Sequence, residues 1–268
     1  MKKTVNEIYH YLDDLYPFET QMSFDNAGFL VGDRNAIVSK ILVALDVTTA
    51  VIEEAIKKGC QLIITHHPLI FTPLKRVLAE NPTEKMVMSL IKHDISLISA
   101  HTNLDRAAEG VNFHLAKALA LENISFVLEE GIDKKGRTYG TGFFGTADVK
   151  NLSVAAYGKV VAEKLNSKAL RFTDAGKPVV NVAVGGGSCS SLLSDVIAQG
   201  CDTYVTGDVK YDVFLDAKEK GINLIDAGHY PTEQVVCRPV VDKLKEQFPL
   251  IEVFLSEVHE DVCQSLNQ

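Results

Sequence analysis

Short apolar runs alternate with stretches of helical periodicity along most of this chain, and that alternation restricts its fold more than any other feature of the sequence. After a helix at 4–16, the first series predicts strands at 41–45, 62–65 and 95–99 and helices at 48–58, 83–92 and 109–121. The second series predicts strands at 179–184, 203–206, 222–225 and 251–255 and helices at 190–199, 209–220 and 233–247. Such alternation indicates an α/β fold of βαβ units, with parallel sheets and right-handed crossovers.

The two series are similar in sequence and in the order of their elements. Gly59-Cys60 precedes one predicted strand, and Gly200-Cys201 precedes its counterpart. His101 and His229 follow another matching pair of strands, and each has an acidic residue four positions later. This similarity predicts an internal duplication; chance resemblance between βα units rich in valine and isoleucine is the alternative.

The duplication predicts two similar α/β lobes, at 1–125 and 126–268. The second lobe begins with a strand-rich middle, 126–180, in which a glycine-rich strand at 139–145, a helix at 154–165 and short strands around Leu170 and Val180 are predicted. The second βα repeat, 179–268, follows this middle region.

Composition and charge exclude several classes of protein. The net charge is −8, from 27 basic and 35 acidic residues, and no face dense in lysine or arginine is evident, so nucleic acid is an unlikely partner. The five cysteines form no CxxC pair and are odd in number, which is typical of reduced thiols rather than of a disulfide framework. No apolar stretch reaches the roughly 18–20 residues that span a bilayer, and the first residues lack a signal-peptide core. We therefore expect a cytoplasmic protein without a membrane segment.

Histidine and carboxylate side chains follow three of the predicted strands. Open α/β sheets bind ligands at the carboxyl ends of their strands, so these residues are expected at equivalent sheet edges. Neighbouring histidines point to one centre only where a strand ends, and Pro68 favours such an end. The proposed metal ligands are His66, His67, Asp105, His229 and Glu233.

Three imidazoles and two carboxylates exceed the three protein ligands of a usual catalytic zinc. They suit two divalent metal ions per subunit, about 3.5–4 Å apart and bridged by a carboxylate or water. Nitrogen and oxygen ligands admit Zn, Mn, Fe, Co or Ni. His101 is left over and is interpreted as a catalytic proton shuttle or as a support for a ligand.

Most single histidines in loops are ordinary polar residues, and four others in this chain are interpreted in that way: His10, His93, His114 and His259. Asp25, Asn26 and Asp46 lie in turns, where they either support the ligands, contact the substrate or bond their own backbone. Asp208 occupies the position in the second series that His67 holds in the first, and it is interpreted as a support for the site.

Two glycine-rich segments carry weaker signals. Gly185-Gly186-Gly187 joins a strand to a helix, where it either binds an anion through backbone amides or forms a tight turn. The segment from Gly140 to Gly145 matches GxGxxG, but no strand is predicted before it and no helix begins within it, so a dinucleotide site is rejected. Cys189 follows the first segment without an evident base partner, which argues against a nucleophile.

The same residues carry a resemblance to the GTP cyclohydrolase I type 2 homologs, also called the Nif-three-like proteins. The matching stretches are Phe24-Asp25-Asn26-Ala27-Gly28-Phe29-Leu30-Val31-Gly32-Asp33, Thr65-His66-His67-Pro68-Leu69-Ile70-Phe71, His101-Thr102-Asn103-Leu104-Asp105, Thr206-Gly207-Asp208 and Gly228-His229-Tyr230-Pro231-Thr232-Glu233. One departure is Phe24, where many members of that family have tryptophan.

The resemblance implies a Nif-three-like three-layer fold with similar halves and a dinuclear metal centre between them. It implies the ligand set already named, with Glu233 as the bridging carboxylate. It also implies a toroidal homohexamer and, through the family name, hydrolytic opening of the guanine ring of GTP.

Two functions are consistent with these expectations. The first is a metal-dependent hydrolase that acts on GTP or a related phosphorylated heterocycle, with a phosphoester as the second choice of substrate. The alternative is a non-catalytic metal-binding protein with a regulatory or interaction role, which forms a ring-shaped homo-oligomer.

Overall fold

The computed structural model describes residues 2–149 and 151–266 and shows a mixed α/β fold. The elements in chain order are β1 (Lys3–Thr4), α1 (Val5–Leu15), β2 (Gly28–Val31), β3 (Ile37–Val38), β4 (Lys40–Ala44), α2 (Thr49–Lys58), β5 (Leu62–Thr65), α3 (Pro82–Lys92), β6 (Ser96–Ser99), α4 (Thr102–Arg106), α5 (Val111–Ala118), β7 (Leu121–Ile132), β8 (Thr138–Ala147), α6 (Val154–Leu165), β9 (Arg171–Thr173), β10 (Asn181–Val184), α7 (Leu193–Ala198), β11 (Thr203–Thr206), α8 (Tyr211–Glu219), β12 (Asn223–Asp226), α9 (His229–Glu233), α10 (Cys237–Gln247) and β13 (Glu252–Leu255). Three short 3₁₀ turns lie at Phe18–Thr20, Ser190–Leu192 and Gln234–Val236.

The chain divides into two compact units. Unit 1 comprises residues up to Leu104 together with Cys237–Glu260, and unit 2 comprises Asp105–Val236 together with the residues from Asp261 onward. These bounds differ from those of the predicted lobes, 1–125 and 126–268. Residues 105–125 belong to unit 2, and β13 belongs to unit 1 because it pairs with β4.

Unit 1 contains a five-stranded sheet in the order β13-β4-β5-β6-β2. The first four strands are parallel, and β2 joins the edge antiparallel to β6. Every residue of β5 and of β6 is buried, as expected for the inner strands of a parallel sheet. Helix α2 packs its apolar residues, including Val51 and Ile52, in the core that covers this sheet. Thr48 caps the start of this helix, because its side chain accepts a hydrogen bond from the amide of Val51.

Unit 2 contains a six-stranded sheet in the order β7-β8-β10-β11-β12-β9. Its three central strands β10, β11 and β12 are parallel, and antiparallel strands flank them. Val182 and Val184 pack in one apolar core, and Ala183 between them packs in another, so the sheet is covered on both faces. Both units thus contain three parallel strands that follow one another along the chain with helical segments between them, β4, β5 and β6 in unit 1 and β10, β11 and β12 in unit 2. The internal duplication itself stays a prediction.

Most of the predicted strands begin and end within two residues of their observed bounds, but β7 was not predicted. Helix α5 ends at Ala118, whereas the sequence predicted a helix to 121. The apolar residues of β7 are interrupted by exposed acidic ones such as Glu122 and Glu129, which weakened the strand pattern. The statement that no strand precedes the GxGxxG segment is therefore wrong. The segment lies inside β8 and no helix begins within it, so the rejection of a dinucleotide site stands.

The helix predicted at 233–247 is observed as α10 from Cys237 to Gln247, so its predicted end is confirmed and its predicted start is wrong. The chain instead forms the short α9, a 3₁₀ turn and then α10. As a result, Glu233 is the last residue of α9 rather than part of a first turn, and it is 4% exposed. Two smaller differences are the unpredicted short helix α4 and the 3₁₀ turn that precedes α7.

No helix within residues 2–149 and 151–266 combines the length and apolarity needed to cross a membrane. All five cysteines lie among the described residues, and each is a free thiol.

Candidate metal centre

His66 and His67 lie where β5 ends, as the sequence predicted. The ladder stops at Thr65, and the backbone amides of both histidines donate to the same carbonyl oxygen, that of Leu45, at 3.1 and 3.0 Å. This shared acceptor turns the chain away from the strand direction. The two imidazole rings can therefore lie near each other, with centroids 4.8 Å apart.

His101 lies in the same cluster as these two histidines. It follows β6, the parallel neighbour of β5, and its ring centroid is 5.1 Å from that of His66 and 5.4 Å from that of His67. One potential ligand atom from each of the three residues lies within 4.8 Å of the others. The residue that sequence reasoning set apart from the ligands is thus as well placed to bind a metal as they are.

The Nδ1 atom of each imidazole in this unit 1 cluster contacts an oxygen that can only accept a hydrogen bond. The pairs are His66 with the Ala100 carbonyl at 2.8 Å, His67 with Asp46 Oδ1 at 2.7 Å and His101 with Asp25 Oδ1 at 2.8 Å. Each Nδ1 must therefore carry the hydrogen, which leaves the lone pair of a neutral ring on Nε2. Histidines that bind metals are usually oriented in this way by a carboxylate or carbonyl.

The two carboxylates behind these rings are held in the ionised form. Burial would raise the pKa of Asp46, but hydrogen bonds with His259 and His67 outweigh it and hold that pKa well below its usual range. For Asp25 burial is likewise outweighed, here by hydrogen bonds with His101 and Thr102, and its pKa falls to about 2.

Unit 2 contributes a smaller cluster after β12. His229 Nδ1 contacts Asp208 Oδ2 at 2.7 Å, and its Nε2 lies 3.0 Å from Glu233 Oε2. Carboxylate oxygens of Asp105 and Glu233 lie within 4.8 Å of each other. The Glu233 side chain is 5% exposed, whereas those of His229 and Asp208 are 37% and 55% exposed. Asp208 therefore orients His229 in the way that Asp46 orients His67, but from a more exposed position.

The glycine-rich turn after β10 packs against this second cluster and is not an open anion site. Its three backbone amides already have acceptors: Gly185 donates to Val205 O at 3.0 Å, Gly186 to Asn112 Oδ1 at 2.7 Å and Gly187 to Thr232 Oγ1 at 3.0 Å. Gly187 has a φ of +60°, and a Cβ there would overlap the carboxylate of Glu233. The turn needs glycine because its backbone approaches a candidate ligand closely.

Cys189, which follows this turn, remains a protonated thiol. Burial, with the nearby carboxylate of Asp105 as the next cause, raises its pKa to about 12. This agrees with the expectation that it is not a nucleophile.

His259, which no sequence pattern connected with the site, contacts one of the carboxylates behind the histidines. Its side chain is 6% exposed, and its Nε2 lies 3.0 Å from Asp46 Oδ2, the second oxygen of the carboxylate that holds His67. No local pattern around His259 indicated this contact, because Asp46 lies 213 positions away in sequence. Asn26, whose role was left open, donates its side-chain amide to the carbonyl of Ile70 at 2.6 Å and so holds the loop after the paired histidines.

Two exposed aromatic rings lie beside the unit 1 cluster, and one of them also lines a cavity that contains two basic residues. Phe71 makes an edge contact with His101 at 6.1 Å, and Phe24 lies 6.4 Å from Phe71; these phenylalanines are 48% and 63% exposed. Phe71 also lines a cavity of about 340 Å³ together with Lys75 and Arg76. A larger cavity of about 740 Å³ on unit 1 is lined by no histidine or carboxylate and so is not a candidate metal site.

The donor chemistry of these clusters fits a divalent metal. The structure brings His66, His67 and His101 together in unit 1, and Asp105, His229 and Glu233 together in unit 2. Imidazole nitrogens with their other nitrogen anchored, next to ionised carboxylates, are the usual ligands of Zn, Mn, Fe, Co and Ni. The fold and these clusters define a class: two-unit α/β proteins with histidine–carboxylate clusters that could hold metal ions.

The chain belongs to the Duf34/NIF3 (NGG1p interacting factor 3) family, whose model matches residues 3–262. A relative from Clostridium perfringens, called GTP cyclohydrolase 1 type 2 homolog, is 34% identical over 245 residues, which are 91% of this chain and 92% of the relative. The family resemblance found in the sequence is therefore confirmed.

Solved structures agree with this assignment. The crystal structure of Staphylococcus aureus protein SA1388 matches with a TM-score of 0.91 and 32% sequence identity, covering 98% of this chain and 99% of that one. A Bacillus cereus protein related to NIF3 matches with a TM-score of 0.93 and 25% identity, covering 99% of both chains.

Proposed function

We propose that this protein is a cytoplasmic, metal-dependent hydrolase with two divalent metal ions per subunit. The proposed ligands are His66, His67, Asp105, His229 and Glu233, with Glu233 as the bridging carboxylate. The observation that carries the proposal is the uniform anchoring of the histidines: His66, His67, His101 and His229 each have Nδ1 bound to a carbonyl or carboxylate oxygen. Fixing Nδ1 in this way presents Nε2 as a ligand.

When bound, the metal ions would lower the pKa of a water molecule and polarise the bond under attack. The protein's own contribution is to hold the ligands in place and to move protons. His101, tied to Asp25 through Nδ1, presents Nε2 on the same side as His66 and His67, and this placement suits a proton donor or acceptor for the reaction.

The proposed substrate is GTP or a related phosphorylated heterocycle. Relatives that are at least 30% identical bear the name GTP cyclohydrolase 1 type 2 homolog. The exposed rings of Phe24 and Phe71 beside His101 offer surfaces for a planar heterocycle. Lys75 and Arg76, which line the adjoining cavity, supply positive charge for phosphate groups. A phosphoester is the second choice of substrate.

A second candidate is a non-catalytic metal-binding protein with a regulatory or interaction role. The description of the family as an interacting factor favours this reading. In either case we propose a toroidal homohexamer as the assembled form, which light scattering of the purified protein would test by its mass. The net charge of −8 argues against nucleic acid as a partner.

The hydrolase proposal is tested by incubating metal-loaded protein with GTP and following ring opening by chromatography and mass spectrometry. We expect turnover in the wild type, a loss of about 10²–10⁴-fold in His101→Ala, and an unchanged rate in His93→Ala. His93 is a suitable control because it is exposed and bonds only locally, to the carbonyl of Ser89. Full metal occupancy without turnover of GTP or phosphoesters would favour the non-catalytic candidate.

A further inference from the structure

The segment that follows β13, Ser256–Glu260, is fastened to unit 1 by one buried carboxylate. Glu54 of α2 is 8% exposed, and its oxygens accept hydrogen bonds from Ser256 Oγ at 2.6 Å and from the Glu257 amide at 3.1 Å. The Ser256 amide also donates to Val43 O at 2.8 Å, and the Ser256 hydroxyl accepts from the His259 amide at 3.3 Å. The path of this tail segment is therefore fixed up to His259.

The tail segment brings His259 to the carboxylate that orients a candidate metal ligand. Asp46 divides its two oxygens between two imidazoles: Oδ1 contacts His67 Nδ1 at 2.7 Å, and Oδ2 contacts His259 Nε2 at 3.0 Å. The Asp46 side chain is 39% exposed, so packing alone does not fix its orientation. A carboxylate with one oxygen in solvent can turn about its side-chain bonds and exchange its partner for water.

Asp25 likewise divides its two oxygens between an imidazole and a second group, but its second group is not a histidine. Its Oδ1 contacts His101 Nδ1, and its Oδ2 accepts hydrogen bonds from the amide and hydroxyl of Thr102. In both cases one oxygen orients an imidazole while the other is held by a separate group. For Asp25 that group is the next residue along the chain from His101, whereas for Asp46 it comes from the tail segment.

We propose that His259 is a positioning residue for His67, and that the tail segment Ser256–Glu260 serves to deliver it. By holding Oδ2, His259 keeps Asp46 in the orientation in which Oδ1 accepts from His67 Nδ1. His67 then keeps its lone pair on Nε2, aimed as a metal ligand requires. This inference rests on the proposed function because it takes His67 as a metal ligand. The contacts of His67 and His259 with Asp46 do not themselves require a metal.

The test combines a metal titration with a spectroscopic measurement on the metal-free protein. Co²⁺ binding to the full chain would be measured by visible absorption in competition with a chelator. We expect His259→Ala to weaken Co²⁺ binding by about tenfold and Ser256→Ala to weaken it by less. His259→Gln, whose amide can still donate to Asp46, should recover part of the loss, and His93→Ala should have no effect.

A double substitution separates positioning from general stability. If His259 acts through Asp46, adding His259→Ala to Asp46→Asn should cause no further loss of Co²⁺ affinity, because the two changes break one chain of contacts. An equal loss in the Asp46→Asn background would overturn the proposal. So would a loss in His259→Ala no larger than that in His93→Ala.

Long-range ¹H–¹⁵N spectra of the imidazoles in metal-free protein give the second readout. We expect the hydrogen of His67 to reside on Nδ1 in the wild type and to be divided between the two nitrogens in His259→Ala. An unchanged His67 signal in His259→Ala would overturn the proposal. If the wild-type protein bound no Co²⁺, the proposed function would be refuted. The spectra of the metal-free protein would then decide by themselves whether His259 positions His67.

Discussion

The histidine cluster of unit 1 and the smaller cluster of unit 2 are built on one plan but are fixed to different degrees. In unit 1, the carboxylates behind His67 and His101 are each held through both oxygens. In unit 2, the structure of the described residues records a single side-chain contact for Asp208, to His229, and that carboxylate is 55% exposed. The unit 2 cluster relies instead on burial of Glu233 and on the close glycine turn.

This difference shows two ways to preorganise a ligand. An anchored hydrogen bond fixes the direction of an imidazole even at a partly exposed position, whereas burial fixes a carboxylate by leaving it little room to move. Metal binding by the unit 1 cluster should therefore be sensitive to the loss of hydrogen-bond partners. Metal binding by the unit 2 cluster should be sensitive to added side-chain atoms that crowd Glu233.

The largest effect is expected from removing the buried carboxylate of unit 2. Glu233→Ala should lower affinity for at least one metal ion by more than about 100-fold, since removal of a ligand exceeds the 10–100-fold cost of removing its support. Glu233→Gln, of similar size, should also lose the metal but keep the packing. Elemental analysis of both variants and their circular dichroism provide the check. Full metal occupancy in Glu233→Ala would refute the bridging assignment.

A paired substitution compares the supports of the two clusters directly. Asp46→Asn should reduce metal affinity by about 100-fold and Asp208→Asn by about tenfold, because the second carboxylate is the more exposed and less constrained. Competition titration with a coloured chelator measures both values. Equal losses in the two variants would show that exposure of the supporting carboxylate does not matter.

Substitution in the glycine turn tests whether metal binding in unit 2 requires the open space between Gly187 and Glu233. Gly187→Ala combines a left-handed backbone, at a cost of about 1–2 kcal/mol, with overlap on Glu233, so we expect both lower stability and loss of metal. Gly176→Ala is the matched control, because Gly176 has a φ of +74° but open space around its Cβ position. Urea unfolding should show destabilisation in both variants. Retention of metal by Gly187→Ala would contradict the close approach to Glu233.

The smallest effect is expected from the pH dependence of Asp25. Its pKa of about 2 lies below the ordinary value of 3.8, so the stability that it adds is fully present above that value and is lost as pH falls through about 2. The difference in unfolding free energy between wild type and Asp25→Asn should therefore shrink from about pH 4 downward. Urea titrations of metal-free protein at several pH values measure it, and a constant difference over that range would contradict the assignment.

The sequence was sufficient to predict which candidate ligands follow strand ends. His66, His67 and His229 could be located because a parallel sheet places the residues after its strands at one edge. The strand bounds followed from runs of buried apolar residues such as those of β5 and β11.

What the sequence did not predict depends on contacts between distant segments. His259 meets Asp46 only because β13 pairs with β4 and the tail then turns toward α2. The exposed strand β7 carried too little apolar pattern to be recognised. The start of the last long helix was also placed wrongly, because Glu233 ends the separate short helix α9, where it is 4% exposed.

Elemental analysis by mass spectrometry, on protein purified without chelator and then reconstituted with divalent metal, tests the metal centre most directly. We expect close to two metal ions per chain, and about one or fewer in Glu233→Ala measured in parallel. A wild-type protein that binds no metal after reconstitution would contradict the account, because the anchored imidazoles would then have no ligand role.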